Sequence, residues 1–398
     1  MSVSALSVMV VEDHGFQRRM ALRLLAGLGV ADVTEAAEGR AALTLLAERG
    51  RPPDVVMVDL DMPGMDGIEF IGHVAQRGLA RSVLVVSALD MALLNTVQSM
   101  ARAYGLRVLG SVEKPLTAEK LANALSAYDT QEYDEDIDEP IEISATEIRE
   151  ALAHGQIGPW FQPQVELVNG KPVGVEALAR WRRPDGRVVR PQNFIGLLER
   201  EGLADPFTDL MLEQACRWKR RWDQTGLHLT LSVNVSPTTL ADATAADRYQ
   251  RIVIAQGVDP AEVVLELTES SVLADAARAL GVLARLRLKG FGLSIDDFGT
   301  GYSSLAQLSQ IPFTELKIDQ GFVAGAHEQP RKRAVVEASL DLARKLGLKV
   351  VAEGVATVED WQMLAQLGCA TAQGYLIAPP VPPEDLPGIL ARWRRPEF

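Results

Sequence analysis

The stretch FGLSIDDFGTGYSS, residues 291–304, decides the fold. A short apolar run, Phe291–Ile295, ends in two adjacent acids, Asp296 and Asp297, and then in a glycine-containing loop. Working outward, the same arrangement recurs: Glu176 in VGVEALARW (173–181), Glu266 in VVLELTES (263–270) and Glu353 in KVVAEGV (349–355). Each apolar run has the length and composition of a buried parallel strand. Acids gathered at the carboxyl ends of such strands repel one another, and a divalent cation relieves that repulsion. The pattern predicts a metal-dependent site in a β/α barrel that acts on a phosphate-bearing substrate.

The strand candidates around these acids are Trp160–Leu167, Val173–Ala179, Leu229–Val235, Val263–Leu267, Phe291–Ile295, Glu315–Ile318, Lys349–Ala352 and Thr371–Leu376. Amphipathic helices such as DAARALGVLARLRLKG separate most of them. Roughly eight strands in about 250 residues fit a barrel. Only VNGK (168–171) parts the first two strands, which predicts an antiparallel hairpin and an irregular (β/α)8 TIM-like barrel over 144–398. Its opening SATEIREALAHG (144–155) carries a Ser-x-x-Glu capping pattern and ends in Gly155, so it reads as a helix.

Residues 1–128 form a separate α/β series. Apolar runs at Val8–Val11, around Val33, at Val55–Val58, Val83–Val86 and Leu106–Val112 alternate with helical periodicity. This predicts a doubly wound, five-stranded parallel domain. The acidic segment 129–143, poor in large aliphatics, reads as a solvated linker.

The 398-residue chain is 47% hydrophobic and 23% charged, which suits a globular protein, with a formal net charge of −13. That charge argues against nucleic acid and against anionic membrane as partners of the whole surface. No apolar run approaches the roughly 20 residues a bilayer requires. The start, MSVSALSVMVVED, reads as a first strand rather than a secretion signal, so a cytoplasmic location is expected. Cys216 and Cys369 are far apart and read as buried thiols, and none of the five histidines has metal-ligand spacing.

In the first series, Glu12 and Asp13 follow one strand, Asp59 ends another, Ser87 ends the fourth, and Lys114 follows the fifth. Strand ends of a doubly wound sheet converge on one rim, so these residues make a Mg²⁺ site beside a carboxylate that can accept a phosphoryl group. VVEDHGFQRR, VDLDMPGMDGIEF, SAL and EKP resemble the receiver domain of two-component response regulators. The resemblance implies that Asp59 accepts phosphate from a cognate histidine kinase. Glu12, Asp13 and Asp59 would hold Mg²⁺, while Lys114 and Ser87 contact the phosphoryl group. One departure is Ser111, where many receivers carry an aromatic switch residue; Tyr104 is not an obvious substitute.

In the second series FQPQVEL, EALARW, SVNVSP, ELTES, DDFGTGYSSL, LKID, AEGV and AQGYL follow one another in the order seen in the EAL family of cyclic di-GMP phosphodiesterases. The resemblance implies hydrolysis of cyclic di-GMP to linear pGpG, aided by two Mg²⁺ or Mn²⁺ ions. It assigns metal ligation to Glu176, Asn234, Glu266, Asp296, Asp297 and Asp319. Glu353 matches the glutamate that serves as general base or organiser of metal-bound water, and Lys317 would orient water or stabilise developing charge. Arg180, Gln162, Leu178 and Gln373 would line the substrate site. Glu269 would hold the DDFGTGYSS loop, where Gly299 and Gly301 permit a tight backbone. A homodimer or higher homo-oligomer is expected on the same ground. Two positions depart from the family: Ala356, where a second acid is common, and Pro379, where a basic or polar residue is common. The alternative reading is a weak or inactive barrel that binds cyclic di-GMP and signals through protein contacts.

Overall fold

A computed structural model describes residues 3–87, 101, 106–129, 143–268, 276–299 and 310–396. Glu269, Gly301, Tyr104 and most of the acidic linker lie outside the described residues. The chain divides into two compact units, Met1–Asp138 and Glu139–Phe398.

The first unit is a parallel sheet of β1 (Ser7–Val11), β2 (Asp32–Ala36), β3 (Val55–Asp59), β4 (Ser82–Ser87) and β5 (Arg107–Glu113), in the order β2-β1-β3-β4-β5. Alternate residues along the central strands enter two different cores. Met9, Val11, Val56, Val58, Val83 and Val85 pack on one face. Val8, Val10, Val55, Met57, Leu84 and Val86 pack on the other. Burial on both faces explains why these strands are continuous valine-rich runs rather than alternating ones. The doubly wound expectation is met.

One glycine positions the end of β3. The helix Gly67–Arg77 starts against the backbone that follows Asp59, and a Cβ at Gly67 would lie 2.3 Å from the Asp59 carbonyl oxygen. Only glycine permits that approach. Asp66 caps the same helix by accepting from the Glu69 N–H at 2.8 Å.

The second unit begins with the helix Ala145–Ala153, capped as its sequence pattern predicts by Ser144, whose Oγ accepts from the Glu147 N–H at 3.2 Å. Nine strands follow: β6 (Ile157–Glu166), β7 (Pro172–Arg182), β8 (Val188–Val189), β9 (Thr230–Asn234), β10 (Val263–Thr268), β11 (Gly292–Phe298), β12 (Glu315–Ile318), β13 (Lys349–Ala352) and β14 (Thr371–Gln373). The sheet order β6-β14-β13-β12-β11-β10-β9-β7 closes through a β6–β7 pairing, and β8 is an appendage on β7. β6 runs antiparallel to both of its neighbours, so the expected hairpin and irregular barrel are present. One large core, including Leu231, Val233, Leu265, Leu293, Ile295, Leu316 and Trp361, belongs to this unit.

Two local features differ from the sequence reading. Glu176 is not at a strand end but mid-strand, because β7 continues past it, paired with β6 as far as Ile157 opposite Trp181 and then with β8. β11 is irregular at the acids: Ile295 pairs with Leu316 and Phe298 with Ile318, which leaves Asp296 and Asp297 together opposite Lys317. Asp297 adopts a left-handed φ of 54°. A regular strand would send adjacent side chains to opposite faces; a bulge with one left-handed residue re-aims them, for about 1 kcal/mol of strain.

Candidate active site

Each of the eight barrel strands, or the residue just after it, supplies a polar side chain to one cluster. Gln162 comes from β6, Glu176 from β7, Asn234 from β9, Glu266 from β10, Asp296 from β11, Lys317 from β12, Glu353 from the residue after β13 and Gln373 from β14. Strand register explains the gathering. Gln162 pairs with Glu176 and Glu266 with Asn234, so neighbouring strands carry their polar groups at matching heights.

Lys317 is the hub. Its ammonium is 1% exposed and lies 3.2 Å from Glu176, 3.0 Å from Glu266, 3.2 Å from Asp296 and 2.6 Å from Glu353. An ammonium has three protons, so it cannot satisfy four carboxylates fully. Burial works against its charge, but the surrounding acids outweigh burial and hold Lys317 protonated, well above the usual lysine range.

The carboxylates divide by environment. Burial alone would raise Glu176, but Lys317 and hydrogen bonds from neighbours including Gln373 and Asn234 hold it low. Gln373 Nε2 donates to Glu176 at 2.6 Å and Asn234 Nδ2 at 2.9 Å. Burial and the adjacent Glu176 charge push Glu266 well above the carboxylate range. Burial, opposed by Lys317 and reinforced by Asp296, pushes Glu353 up to about 8. Burial and the charges of Asp296 and Asp319 push Asp297 up to about 6. One ammonium therefore leaves the cluster with more negative charge than it can hold ionised.

The residues fit a divalent cation. Oxygens of Asp296, Asp297 and Glu353 lie within 4.8 Å of one another. Two buried carboxylate oxygens, Glu266 Oε1 and Asp296 Oδ1, have no hydrogen-bond partner among the described residues, although Asp296 Oδ1 faces Lys317. Orphaned buried oxygens beside excess negative charge are the donor set that Mg²⁺ or Mn²⁺ takes.

The remaining predicted residues are less uniform. Asp319 caps the helix Gln320–Val323 through Gly321 N–H at 2.9 Å and adds its charge to Asp297. Leu178 and Arg180 follow Glu176 at period two, so they share its face of β7, and both are half-buried. Arg180 lies over the Trp160 ring at 5.9 Å. Gln162 and Gln373 are buried and bonded to each other at 3.0 Å. Sequence reading missed Gln164, which donates to Gln373 at 2.9 Å. Its signal was the period-two spacing of two glutamines on a buried strand. A cavity of about 300 Å³ lies elsewhere, lined by Glu147, His154, Trp181 and Arg183 among others; it contains none of these acids.

The first unit has a smaller acidic centre. Glu12, Asp13 and Asp59 bring oxygens within 4.8 Å of one another. Lys114 Nζ donates to Asp59 at 2.7 Å and to Glu12 at 2.9 Å. Burial, opposed by Lys114 and reinforced by Asp59, raises Glu12. Burial lowers Lys114, but its bonds to Asp59 and Glu12 outweigh that and raise it. Ser87 ends β4 beside Glu113 of β5, and Ser111 pairs with Val85.

Known proteins carry both patterns. The response regulator receiver domain family matches residues 8–126 and the EAL domain family residues 145–380. The cyclic di-GMP phosphodiesterase RocR of Pseudomonas aeruginosa is 35% identical over 95% of this chain and 96% of its own length. The bifunctional diguanylate cyclase/cyclic di-GMP phosphodiesterase MucR of the same organism is 39% identical over 60% of this chain and 35% of its own. A solved MucR phosphodiesterase in complex with cyclic di-GMP superposes with a TM-score of 0.58 and 39% identity, covering 61% of this chain and 98% of that one. Among the described residues no helix is long and apolar enough to cross a membrane. With a receiver at its N-terminal end and the strand-borne acids in its barrel, the chain belongs to the EAL domain family.

Proposed function

We propose that this chain is a response regulator whose barrel hydrolyses cyclic di-GMP to linear pGpG, and that phosphorylation of Asp59 modulates that reaction. The observation that carries the reading is the excess of buried carboxylates around Lys317, with Glu266 Oε1 left without a hydrogen bond among the described residues. Glu176, Asn234, Glu266, Asp296, Asp297 and Asp319 would hold the cations. When bound, divalent cations supply charge neutralisation at phosphoryl oxygens and make water more acidic.

The protein's own groups divide the rest of the work. Glu353, beside Lys317, takes the proton of the attacking water in its ionised form, which bound cations would favour over the protonated one. Lys317, held charged by its acids, orients that water and stabilises negative charge as the P–O bond breaks. Arg180 suits a substrate phosphate, since its guanidinium offers a planar fork of donors. Leu178, Gln162 and Gln373 line the substrate side, and Glu269 holds the following loop. In the N-terminal unit Asp59 accepts the phosphoryl group, with Glu12 and Asp13 holding Mg²⁺ and Lys114 and Ser87 contacting the phosphate.

The test is product analysis of purified protein with cyclic di-GMP in Mg²⁺ or Mn²⁺, with and without acetyl phosphate. Linear pGpG as the product, at a rate that changes with phosphodonor, supports the reading. Tight binding with no cleavage in either metal would replace it with a receptor role.

A further inference from the structure

We infer that Gln164 is a positioning residue for Glu176, acting through Gln373, and that Gly174 is glycine because a side chain there would displace Gln164. The inference rests on the metal-dependent reading above, because its consequence is the aim of one proposed ligand.

Four buried side chains form one directed chain. Gln162, Gln164, Glu176 and Gln373 are 7%, 4%, 4% and 3% exposed. Gln373 Nε2 faces Glu176 Oε2 at 2.6 Å and Gln162 Oε1 at 3.0 Å. Both of those atoms accept only, so the end of Gln373 between them must be its NH₂. That places Gln373 Oε1 toward Gln164, which must in turn present its own NH₂, at 2.9 Å. The Glu176 carboxylate thus fixes two amide orientations in succession. In a dry interior the reversed amide would set oxygen against carboxylate oxygen. Gln162 cannot do the work of Gln164, because its own NH₂ is committed to the Ala378 carbonyl at 3.1 Å.

Space for this chain comes from β7. Gly174 pairs directly with Gln164 across the β6–β7 ladder. A Cβ at Gly174 would lie 2.5 Å from Gln164 Oε1 and 3.3 Å from the Thr230 carbonyl oxygen. Gly174 is two residues before Glu176, so it lies on the same face of the strand. The outermost member of the chain is therefore held by a ladder partner without a side chain, and the innermost member is the carboxylate. Gln164 touches no acid of the cluster in the hydrogen bonds described, so its influence travels through Gln373.

The test is Gln164→Glu, which keeps shape and removes the NH₂ donor, together with Gly174→Ala, which keeps Gln164 and displaces it. Both are made in full-length protein carrying Asp13→Asn, so that the receiver's own acidic centre does not mask Mn²⁺ binding by the barrel. Expected is a loss of Mn²⁺ affinity of about ten-fold or more by titration. In cyclic di-GMP turnover kcat should fall more than KM rises, since Arg180 and Leu178 are untouched. Gln164→Asn, with its donor one methylene short, should not rescue either property.

Unchanged Mn²⁺ affinity and kcat with only a lower melting temperature would reduce Gln164 to a packing role and overturn the inference. Should Gln164→Glu not fold, Gly174→Ala decides by the same two readouts. If the parent protein binds Mn²⁺ but does not cleave cyclic di-GMP, the proposed reaction fails while the affinity comparison still decides the role of Gln164. If the parent barrel binds no Mn²⁺, both fall.

Discussion

Lys114 and Lys317 each sit among the acids of a candidate metal centre, and they differ in their own exposure and in how many carboxylates each must answer. Lys114 is 16% exposed and pairs with two acids, Glu12 and Asp59. Lys317 is 1% exposed and faces four. At the first centre solvent can help to screen the remaining charge, and an incoming phosphodonor needs that access. At the second, screening is weak, so excess charge must be carried by protons or by a metal. The raised carboxyls of Glu266, Glu353 and Asp297 are the protonic solution. A divalent cation is the solution the proposed reaction requires.

The largest effects are expected where each centre loses its reacting group. Glu353→Gln should lower cyclic di-GMP turnover by about 10³-fold, the usual worth of a positioned general base, with the circular dichroism spectrum unchanged. Asp59→Asn should abolish labelling by radioactive acetyl phosphate and leave basal turnover in place. Parental turnover in the first variant, or persistent label in the second, would break the division of labour between the two units.

Next come the lysines themselves. Lys317→Met removes the only ammonium seen to pair with these four acids among the described residues, and should destabilise the metal-free barrel by about 3–5 kcal/mol. Mn²⁺ should restore more stability to this variant than to the parent. Lys114→Met, at the more exposed centre, should cost no more than about 2 kcal/mol. Denaturant melts in EDTA and in Mn²⁺ measure both, and equal costs at the two centres would remove the contrast.

Much of this was legible because the signals are local. Apolar runs ending in acids placed Glu266 and Asp296 on strands and Glu353 just after one, the candidate Glu315–Ile318 contained Lys317, and a short turn after β6 announced the hairpin. What was not legible depends on contacts across the chain. β8 is two residues long and exists because Val189 pairs with Trp181, so no periodicity can reveal it. Glu176 lies mid-strand because β6 pairs with β7 beyond it, as far as Ile157 opposite Trp181. The turn of Asp297 toward Asp296 and Glu353 arises from a bulge against β12, which a regular alternation rule would place on the wrong face. Gln164 reads as an ordinary strand residue until Gly174 and Gln373 are seen against it.

The smallest effect expected is the dependence of barrel stability on pH, and it tests the protonic half of the contrast directly. Burial and neighbouring charge raise Glu353 from its ordinary 4.5 to about 8, and Asp297 from 3.8 to about 6. A raised folded value means that the folded barrel binds more protons than the unfolded chain, so stability should fall as pH rises from about 3.8, the ordinary value of Asp297, to about 8, the folded value of Glu353. Glu176, held low, acts with the opposite sign and only below its ordinary 4.5, at the foot of this window, and Lys317, held high, only above 10.5, outside it. Glu315 and Asp209, raised chiefly by burial, enter it with the same sign, and so does His327. Its hydrogen bond to Asp360 raises it, so its contribution is full below its ordinary 6.5 and fades as pH climbs through the folded value. The metal separates the two sources, because the charged partners of His327 are Asp360 and Glu328 rather than acids of the cluster. Mg²⁺ should displace the cluster's protons and flatten the slope measured in EDTA, leaving the shallower dependence of His327, Glu315 and Asp209, none of them a proposed ligand. An identical slope with and without Mg²⁺ would mean that the raised carboxyls are not where the cation binds.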